Sequence, residues 1–277
     1  MKRTSILQYI VIYAILLIFL AWSIYPILRV ITISIRPGDN LLNESLAIIP
    51  ENWTFDNYIK LFTEHAFLRW MWNSILVTGV VMLTGVTLAS TAGYAISRYK
   101  FPGREASLLS LLVTQMFPAT MLLLPLFIML AKLHLINTYL GLIVIYTSTA
   151  LPFCVWQMKG YYDTIPYSLE EAARIDGASR FGAFYKVILP IATPALVITA
   201  LFSFMASWTE YIVAAQVLQY ENMFTLPVGI KNFQANMTTE WGLYAASALV
   251  VSIPAVALFL FLTRYLVGGL TLGSVKG

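Results

Sequence analysis

The segment EEAARIDGASRFGAFYKVILPIATPAL, residues 170–196, is polar in its first half and lies between two long apolar stretches. Ser168 and Glu171 fit the S-x-x-E capping box, in which each side chain bonds the backbone amide of the other residue. Gly177 stands where a helix commonly ends in the left-handed conformation. The pattern therefore predicts a short helix from Leu169 to Asp176, with the acidic Glu170 near its positive end.

A second short helix is predicted after the glycine. Ser179 is its expected cap, and Pro190 and Pro194 are expected to end it beyond Ile188. Small side chains at Ala172, Ala173 and Ala178 would let another surface approach closely. Two interpretations remain open from the residues alone: a docking surface for a partner protein, or an amphipathic segment resting on the membrane.

The composition is that of a membrane protein. Of the 277 residues, 59% are hydrophobic and only 11% are charged, whereas soluble domains carry about 25% charged residues. The sequence contains neither G-x-x-x-x-G-K-[ST] nor G-x-G-x-x-G, so no nucleotide-binding loop is predicted in this chain. No metal-ligand spacing occurs around His65 and His134, and the single cysteine, Cys154, lies in an apolar stretch.

We predict an all-α, polytopic membrane protein with one transmembrane domain over residues 1–277 and a polar loop at 159–194. Apolar stretches of about 20 residues are long enough to cross a bilayer. The predicted spans are residues 6–28, 73–96, 106–130, 138–158, 195–218 and 243–265.

Basic residues predict the orientation of these spans. With both termini in the cytoplasm, the inner segments hold most of the 17 lysines and arginines, and the 159–194 loop is cytoplasmic. The two long outer segments are then residues 37–72 and 219–242. An interfacial aromatic belt is predicted to include Trp53, Tyr58, Trp70 and Trp72.

Glu210 is the one acidic residue inside a predicted span. An intramembrane carboxylate usually faces protein or water. One hypothesis places it on a translocation path with Trp208, Tyr211 and Gln115, because aromatic faces beside polar groups suit sugars. The alternative, which we favour, is a structural hydrogen bond to another helix.

The segment around residue 170 resembles the EAA loop of ABC-importer permeases. The family pattern is matched by Glu171-Ala172-Ala173, then Gly177, then Val187, then Leu189-Pro190, with valine where isoleucine is commoner. The Asp176-Gly177-Ala178 triplet is similar to the carbohydrate branch. Nearly the whole chain continues the likeness, which is strongest to the G-type permeases for maltose and maltodextrins, through stretches such as AGYAISRYKFPG, SWTEYIVA and TRYLVGGLTLGSVKG.

The resemblance implies a permease subunit that is not itself an enzyme. It implies a heterodimer with a larger F-type permease, a homodimeric ABC ATPase that uses ATP and Mg, and an external or periplasmic sugar-binding protein. It implies the plasma membrane of a bacterium or archaeon, with lipid around the helices and no nucleic-acid partner. The residues that it implies for coupling to the ATPase are Ser168, Glu170, Glu171, Ala172, Ala173, Asp176, Gly177, Ala178 and Pro190.

Two other functions stay open. One is a permease for another oligosaccharide, such as trehalose. The other is an ion-coupled secondary transporter, which would be expected to carry internal repeats and charged sites near the middle of the membrane. Glu210 alone meets the second requirement, and no repeat is visible in the sequence.

Overall fold

The computed structural model describes residues 6–37, 50, 52–234 and 239–272, and within these ranges the regular backbone is helical, with no β-strand. The α-helices are α1 (Ile6–Ser34), α2 (Asp56–Thr63), α3 (Phe67–Arg98), α4 (Arg104–Gln115), α5 (Ala119–Lys132), α6 (Tyr139–Thr164), α7 (Ser168–Ile175), α8 (Arg180–Ala183), α9 (Leu189–Ile191), α10 (Thr193–Trp208), α11 (Ile212–Val217), α12 (Leu226–Lys231) and α13 (Trp241–Leu272). A π-helical turn, Phe184–Ile188, joins α8 to α9, and Glu221–Met223 form a 3-10 turn.

Four helices are individually long and apolar enough to cross a membrane: α1, α3, α6 and the Trp241–Tyr265 part of α13. Two bent pairs pass the same test together, so the described chain has four candidate spans, or six if each pair counts as one. The all-α, polytopic fold class is confirmed.

The predicted span at 106–130 is broken in the structure. Helix α4 ends at Gln115, α5 begins at Ala119, and the two are bent by 106°. Pro118 precedes α5 with an extended ψ of 130°. Because proline has no N–H and restricts the residue before it, the helical hydrogen bonds stop here, a break that an average over hydropathy does not detect.

The predicted span at 195–218 is also divided. Helix α10 ends at Trp208, and the short α11 begins at Ile212. Glu210 therefore lies in the connection after α10 and not inside a continuous helix. The side-chain hydrogen bonds that Glu210 makes here are the physical reason for the break, and they are described below.

The chain packs as two compact units, and the first is formed within Met1–Phe67 and Ile230–Ile253. The Asn57 amide donates to the carbonyl oxygens of Ser34 and Arg36, at 3.0 Å each, and so ties α2 to the end of α1. A side chain at position 242 would approach the Asn57 amide within 2.5 Å, which explains Gly242. Trp53 in this unit is exposed, as an interfacial belt requires.

The second unit comprises Leu68–Gly229 and Pro254–Gly277. Its apolar core has two clusters, one around Cys154, Met158 and Tyr162, and the other around Leu142 and Ile145. The prediction of one permease domain over residues 1–277 stays a prediction.

The beginning of α3 holds the loop that follows α11. The Trp70 indole donates to the Glu221 carbonyl at 3.0 Å, and the Asn73 amide donates to the Asn222 and Phe224 carbonyls. Trp70 is 1% exposed, so its predicted place in an interfacial belt is wrong, whereas Trp72 is exposed. The indole packs so closely on Gly229 that a side chain there would lie 2.2 Å from the ring.

Candidate functional site

Helix α7 begins without the predicted capping box. Ser168 is already helical, Tyr167 occupies the N-cap position, and no side chain caps the helix. The Leu169 amide donates to the Pro166 carbonyl, and the Glu171 amide donates to the Tyr167 carbonyl at 3.1 Å. The ring of Pro166 fixes a helical φ and starts the turn early, so the amide that Ser168 was expected to cap already has a backbone partner.

Helix α7 ends as predicted. Gly177 has a φ of +87°, which confirms the left-handed residue. The Ala178 amide donates to the Ala173 carbonyl at 2.9 Å, and the Gly177 amide donates to the Arg174 carbonyl at 3.1 Å. These two bonds form a Schellman motif, which closes the helix and turns the chain sharply.

The second helical segment also starts as predicted. The Ser179 hydroxyl accepts from the Gly182 amide at 3.1 Å and caps α8. The segment then widens into the π turn, in which the Leu189 amide donates to the Phe184 carbonyl. Pro190 follows directly and has no N–H for an ordinary turn. Contrary to expectation, the helix passes through Pro190 to Ile191 and then bends by 77° into α10.

Glu170 points into the protein and is held at both carboxylate oxygens. Arg98, the last residue of α3, donates from Nε to Oε1, and the Tyr94 hydroxyl donates to Oε2 at 2.8 Å. The side chains of Arg98 and Glu170 are 3% and 14% exposed. The ion pair therefore joins α7 to the end of α3.

Arg98 makes two further contacts near α7. Its Nη2 donates to the Ile165 carbonyl at 2.9 Å, and its guanidinium lies 4.4 Å from the centre of the Tyr167 ring. The Tyr167 hydroxyl donates in turn to the Ser97 carbonyl at 3.1 Å. These five contacts fix the start of α7 against α3.

The opposite face of this region is open. Glu171, Ala172, Asp176, Gly177 and Pro190 are exposed, and Ala173 and Ala178 are half-buried. Large apolar side chains stand among them: Ile175 is 86% exposed and Phe181 is 74% exposed. The Phe181 and Tyr185 rings are nearly parallel, with their planes 9° apart. An exposed apolar surface of this kind, edged by charges, is typical of a site that binds a protein or a membrane surface.

A cleft of about 280 Å³ lies between α3, α7 and α8. Its walls carry three arginines and two glutamates, and the Arg98–Glu170 pair is buried at its side. The lining residues are Tyr94, Arg98, Tyr99, Tyr167, Glu170, Glu171, Arg174, Arg180 and Ala183.

Glu210 makes three hydrogen bonds within the second unit. It accepts from the Tyr146 hydroxyl of α6 at 2.7 Å. It also accepts from the Val213 and Ala214 amides, at 2.8 and 3.1 Å, and so satisfies the free amides at the start of α11. These contacts support the structural interpretation of Glu210 that we favoured from the sequence.

The other residues of the hypothetical translocation path have separate partners. The Gln115 amide donates to the Thr149 carbonyl at 3.0 Å. Trp208 is buried and stacks on Phe204, with ring centres 5.1 Å apart. Tyr211 is exposed. A role for these residues in translocation stays a prediction.

Sequence reasoning missed Tyr94, Arg98 and Tyr167 as parts of the site. Arg98 stands 72 residues before Glu170, and the pairing of the two arises from the packing of α3 beside α7. The one signal in the sequence is that Arg98 is the first basic residue after a long apolar stretch.

The chain is similar to known transport proteins over most of its length. Residues 85–271 match the family of binding-protein-dependent transport system inner membrane components. The arabinooligosaccharides transport system permease protein AraQ of Halalkalibacterium halodurans is 36% identical, with 92% of each chain covered. The maltose/maltodextrin transport system permease protein MalG of Salmonella typhimurium is 37% identical, with 95% of this chain and 94% of MalG covered.

Two solved structures share the fold. One is a chain of a bacterial ABC transporter involved in the import of the acidic polysaccharide alginate, with a TM-score of 0.81, 24% identity and coverage of 96% of this chain and 99% of that chain. The other comes from a bacterial alginate ABC transporter in complex with an alginate pentasaccharide-bound periplasmic protein. It has a TM-score of 0.62 and 17% identity, with 92% of this chain and 93% of that chain covered.

The family match covers more than half of the chain, and the relatives extend along nearly all of it. Membership decides against the ion-coupled secondary transporter that the sequence left open. The chain belongs to the binding-protein-dependent transport system inner membrane components and is a multi-pass sugar permease subunit of an ABC importer.

Proposed function

We propose that this chain is the G-type permease subunit of an importer for maltose and maltodextrins. The likeness to MalG and the motif at Glu171–Gly177 support this substrate class. The observation that carries the coupling role is the form of α7: a short helix, closed at Gly177, that is fixed to α3 on one face and exposed on the other.

The transporter contains an F-type permease as the other half of a heterodimer and two copies of an ABC ATPase. ATP and Mg are bound and used by that ATPase. A periplasmic or extracellular sugar-binding protein delivers the sugar, and the complex of an alginate importer with such a protein supports this by analogy. The chain lies in the plasma membrane with both termini in the cytoplasm.

In the proposed mechanism, α7 and the start of α8 dock into the ATPase. The exposed side chains of Ile175, Phe181 and Tyr185 supply the apolar contacts, and the alanines allow close approach. Closure of the ATPase dimer around ATP displaces α7, and this biases the membrane helices from an inward-open to an outward-open state. Sugar then enters from the binding protein and leaves to the cytoplasm after hydrolysis.

The identity of the transported sugar is tested against alternatives that close relatives suggest. AraQ, whose name assigns it to arabinooligosaccharides, is as similar to this chain as MalG, and trehalose is a further alternative. The test is uptake of labelled maltose, maltotriose, arabinotriose and trehalose by cells with and without the chain. We expect cells without the chain to lose uptake of maltose and maltotriose. If these cells lost only the uptake of arabinotriose or of trehalose, the proposed substrate would be contradicted.

Purification tests the assembly. A tagged chain extracted from its own membrane is expected to bring down an ATPase, a second permease and, with maltose present, a sugar-binding protein. Preparations in which the folded chain carries no ATPase would contradict the proposal.

A further inference from the structure

Two adjacent glutamates on α7 have different surroundings. Glu171 is exposed, whereas Glu170 is 14% exposed and accepts from Arg98 and Tyr94. A resemblance in sequence treats both as part of one docking motif. The contacts separate them, because the Glu170 carboxylate faces the interior of its own chain.

We propose that Arg98 and Glu170 are a positioning pair that fastens α7 to α3, so that a displacement of α7 passes directly into α3. This inference rests on the proposed function, since α7 must receive the displacement from an ATPase. In this assignment Glu170 does not contact the ATPase, and Glu171 stays on the docking side.

The length of α7 makes such a fastening necessary. The helix has eight residues, and isolated helices of this length are marginal in water. Its orientation therefore depends on contacts with the rest of the protein. The ion pair, the Tyr94 hydrogen bond and the Tyr167 ring over Arg98 all act within its first turn or just before it.

Burial makes the pair sensitive to the loss of either partner. With Arg98 3% exposed, removal of Glu170 leaves a charge that water reaches poorly. The Arg98 bond to the Ile165 carbonyl adds a second tether at the end of α6, just ahead of α7. A displacement of α7 relative to α3 would therefore have to break the ion pair and the backbone hydrogen bond that Arg98, the last residue of α3, makes.

The test uses the complete transporter, with the ATPase, the other permease and the sugar-binding protein. The variants are Glu170→Gln, Glu170→Met, Arg98→Met and the double variant Arg98→Met/Glu170→Met. Two quantities are measured: the hydrogen exchange of amides 168–177, and the amount of sugar moved per ATP hydrolysed in proteoliposomes. The sugar is the one identified by the uptake assay.

We expect each single variant to speed exchange in 168–177 and to lower sugar moved per ATP by at least about fivefold, the lower end of coupling between sites. The double variant removes both buried charges, so its exchange is expected to increase by less than the product of the two single Met factors. The matched control is Lys159→Gln. Lys159 pairs with Asp163 at 2.6 Å, but the two side chains are 21% and 39% exposed, and such pairs contribute little.

The outcomes separate the inference from the proposed function. Unchanged exchange in all the Arg98 and Glu170 variants, or equal effects from Lys159→Gln, would overturn the pair as the anchor of α7. Faster exchange with an unchanged sugar-to-ATP ratio would overturn its part in coupling. If the rate of ATP hydrolysis by the wild-type transporter did not depend on the sugar-loaded binding protein, the proposed function and the coupling role would both be refuted. The hydrogen-exchange rates would still test whether the Arg98–Glu170 pair anchors α7.

Discussion

At the scale of single residues, the turn at position 177 depends on glycine. Gly177 has a φ of +87°, and its amide donates to the Arg174 carbonyl. Apart from residues 176–178 themselves, no atom lies within 4 Å of the position where a side chain would begin, so backbone conformation sets the cost of substitution.

We predict that Gly177→Ala destabilises the turn by about 1–2 kcal/mol, the cost of the left-handed conformation for an L-residue. Gly177→Pro is expected to do more, because it removes the donor and forbids the φ. Both variants should insert into the membrane but hydrolyse ATP with little sugar uptake. Uptake and ATP hydrolysis in proteoliposomes measure this.

Gly103→Ala is the matched control, since Gly103 has a φ of +88° and equally open surroundings. It carries the same local strain away from α7. Full transport by Gly177→Pro, or an equal loss of coupling in Gly103→Ala, would contradict a special role for the turn.

Glu210 is expected to stabilise the start of α11. Glu210→Ala would leave the Val213 and Ala214 amides and the Tyr146 hydroxyl without this acceptor, at about 1–3 kcal/mol for each buried group. We expect a clearly lower midpoint of thermal unfolding in detergent. Tyr146→Phe removes one of the three donors and is expected to lower the midpoint less.

Glu210→Gln tests charge separately from stability. We expect sugar uptake per folded molecule to be retained, because the assigned role of Glu210 is to accept hydrogen bonds. Loss of uptake in a variant that is folded and expressed normally would return Glu210 to the translocation path.

At the scale of elements, the sequence predicted how α7 ends and how α8 begins, because Gly177 and Ser179 act on their immediate neighbours. It did not predict how α7 begins, since Pro166 displaced the capping box. It missed the Glu170–Arg98 pair for a different reason: the two residues are 72 positions apart, and packing alone brings them together.

The breaks within the predicted membrane spans were missed as well. The described helices give four candidate spans, or six if each bent pair counts as one, and the second bent pair covers Arg180–Trp208 and not the predicted 195–218. Apolar length also averaged over the breaks at Pro118 and Glu210. Proline removes a backbone donor at the first break. At the second break, the Glu210 carboxylate accepts hydrogen bonds from the amides at the start of α11. Neither effect changes mean hydropathy enough to divide a predicted span.

The exposed side of α7 is expected to dock into the ATPase. Glu171→Lys reverses a charge on the proposed docking face, and we expect ATP hydrolysis to lose its dependence on sugar-loaded binding protein. The ATPase activity of purified transporter, with and without that protein, measures this. Glu105→Lys is the control, because Glu105 is also exposed and lies in the first turn of a helix, α4. Identical behaviour of the two variants would contradict a docking role for Glu171.

At the scale of the whole molecule, the proposed orientation puts residue 105 in the cytoplasm and residue 221 outside. The chain has one cysteine, Cys154, and that thiol is buried, so its background reaction with maleimides should be low. We predict that a membrane-impermeant maleimide labels Glu221→Cys in intact cells and labels Glu105→Cys only after permeabilisation. Both positions are exposed, and labelling of Glu105→Cys in intact cells would reverse the proposed orientation.

Helix α1 shows how differently parts of this chain are constrained. None of its most apolar 18-residue window is buried against the described protein, and the mean hydropathy of that window is 2.4. Natural substitutions along this stretch should consequently preserve hydrophobicity and not side-chain shape. A variant with the same apolar residues of α1 in a different order should still insert into the bilayer. Rearranging the residues around Met158 in the same way should disrupt the packed core.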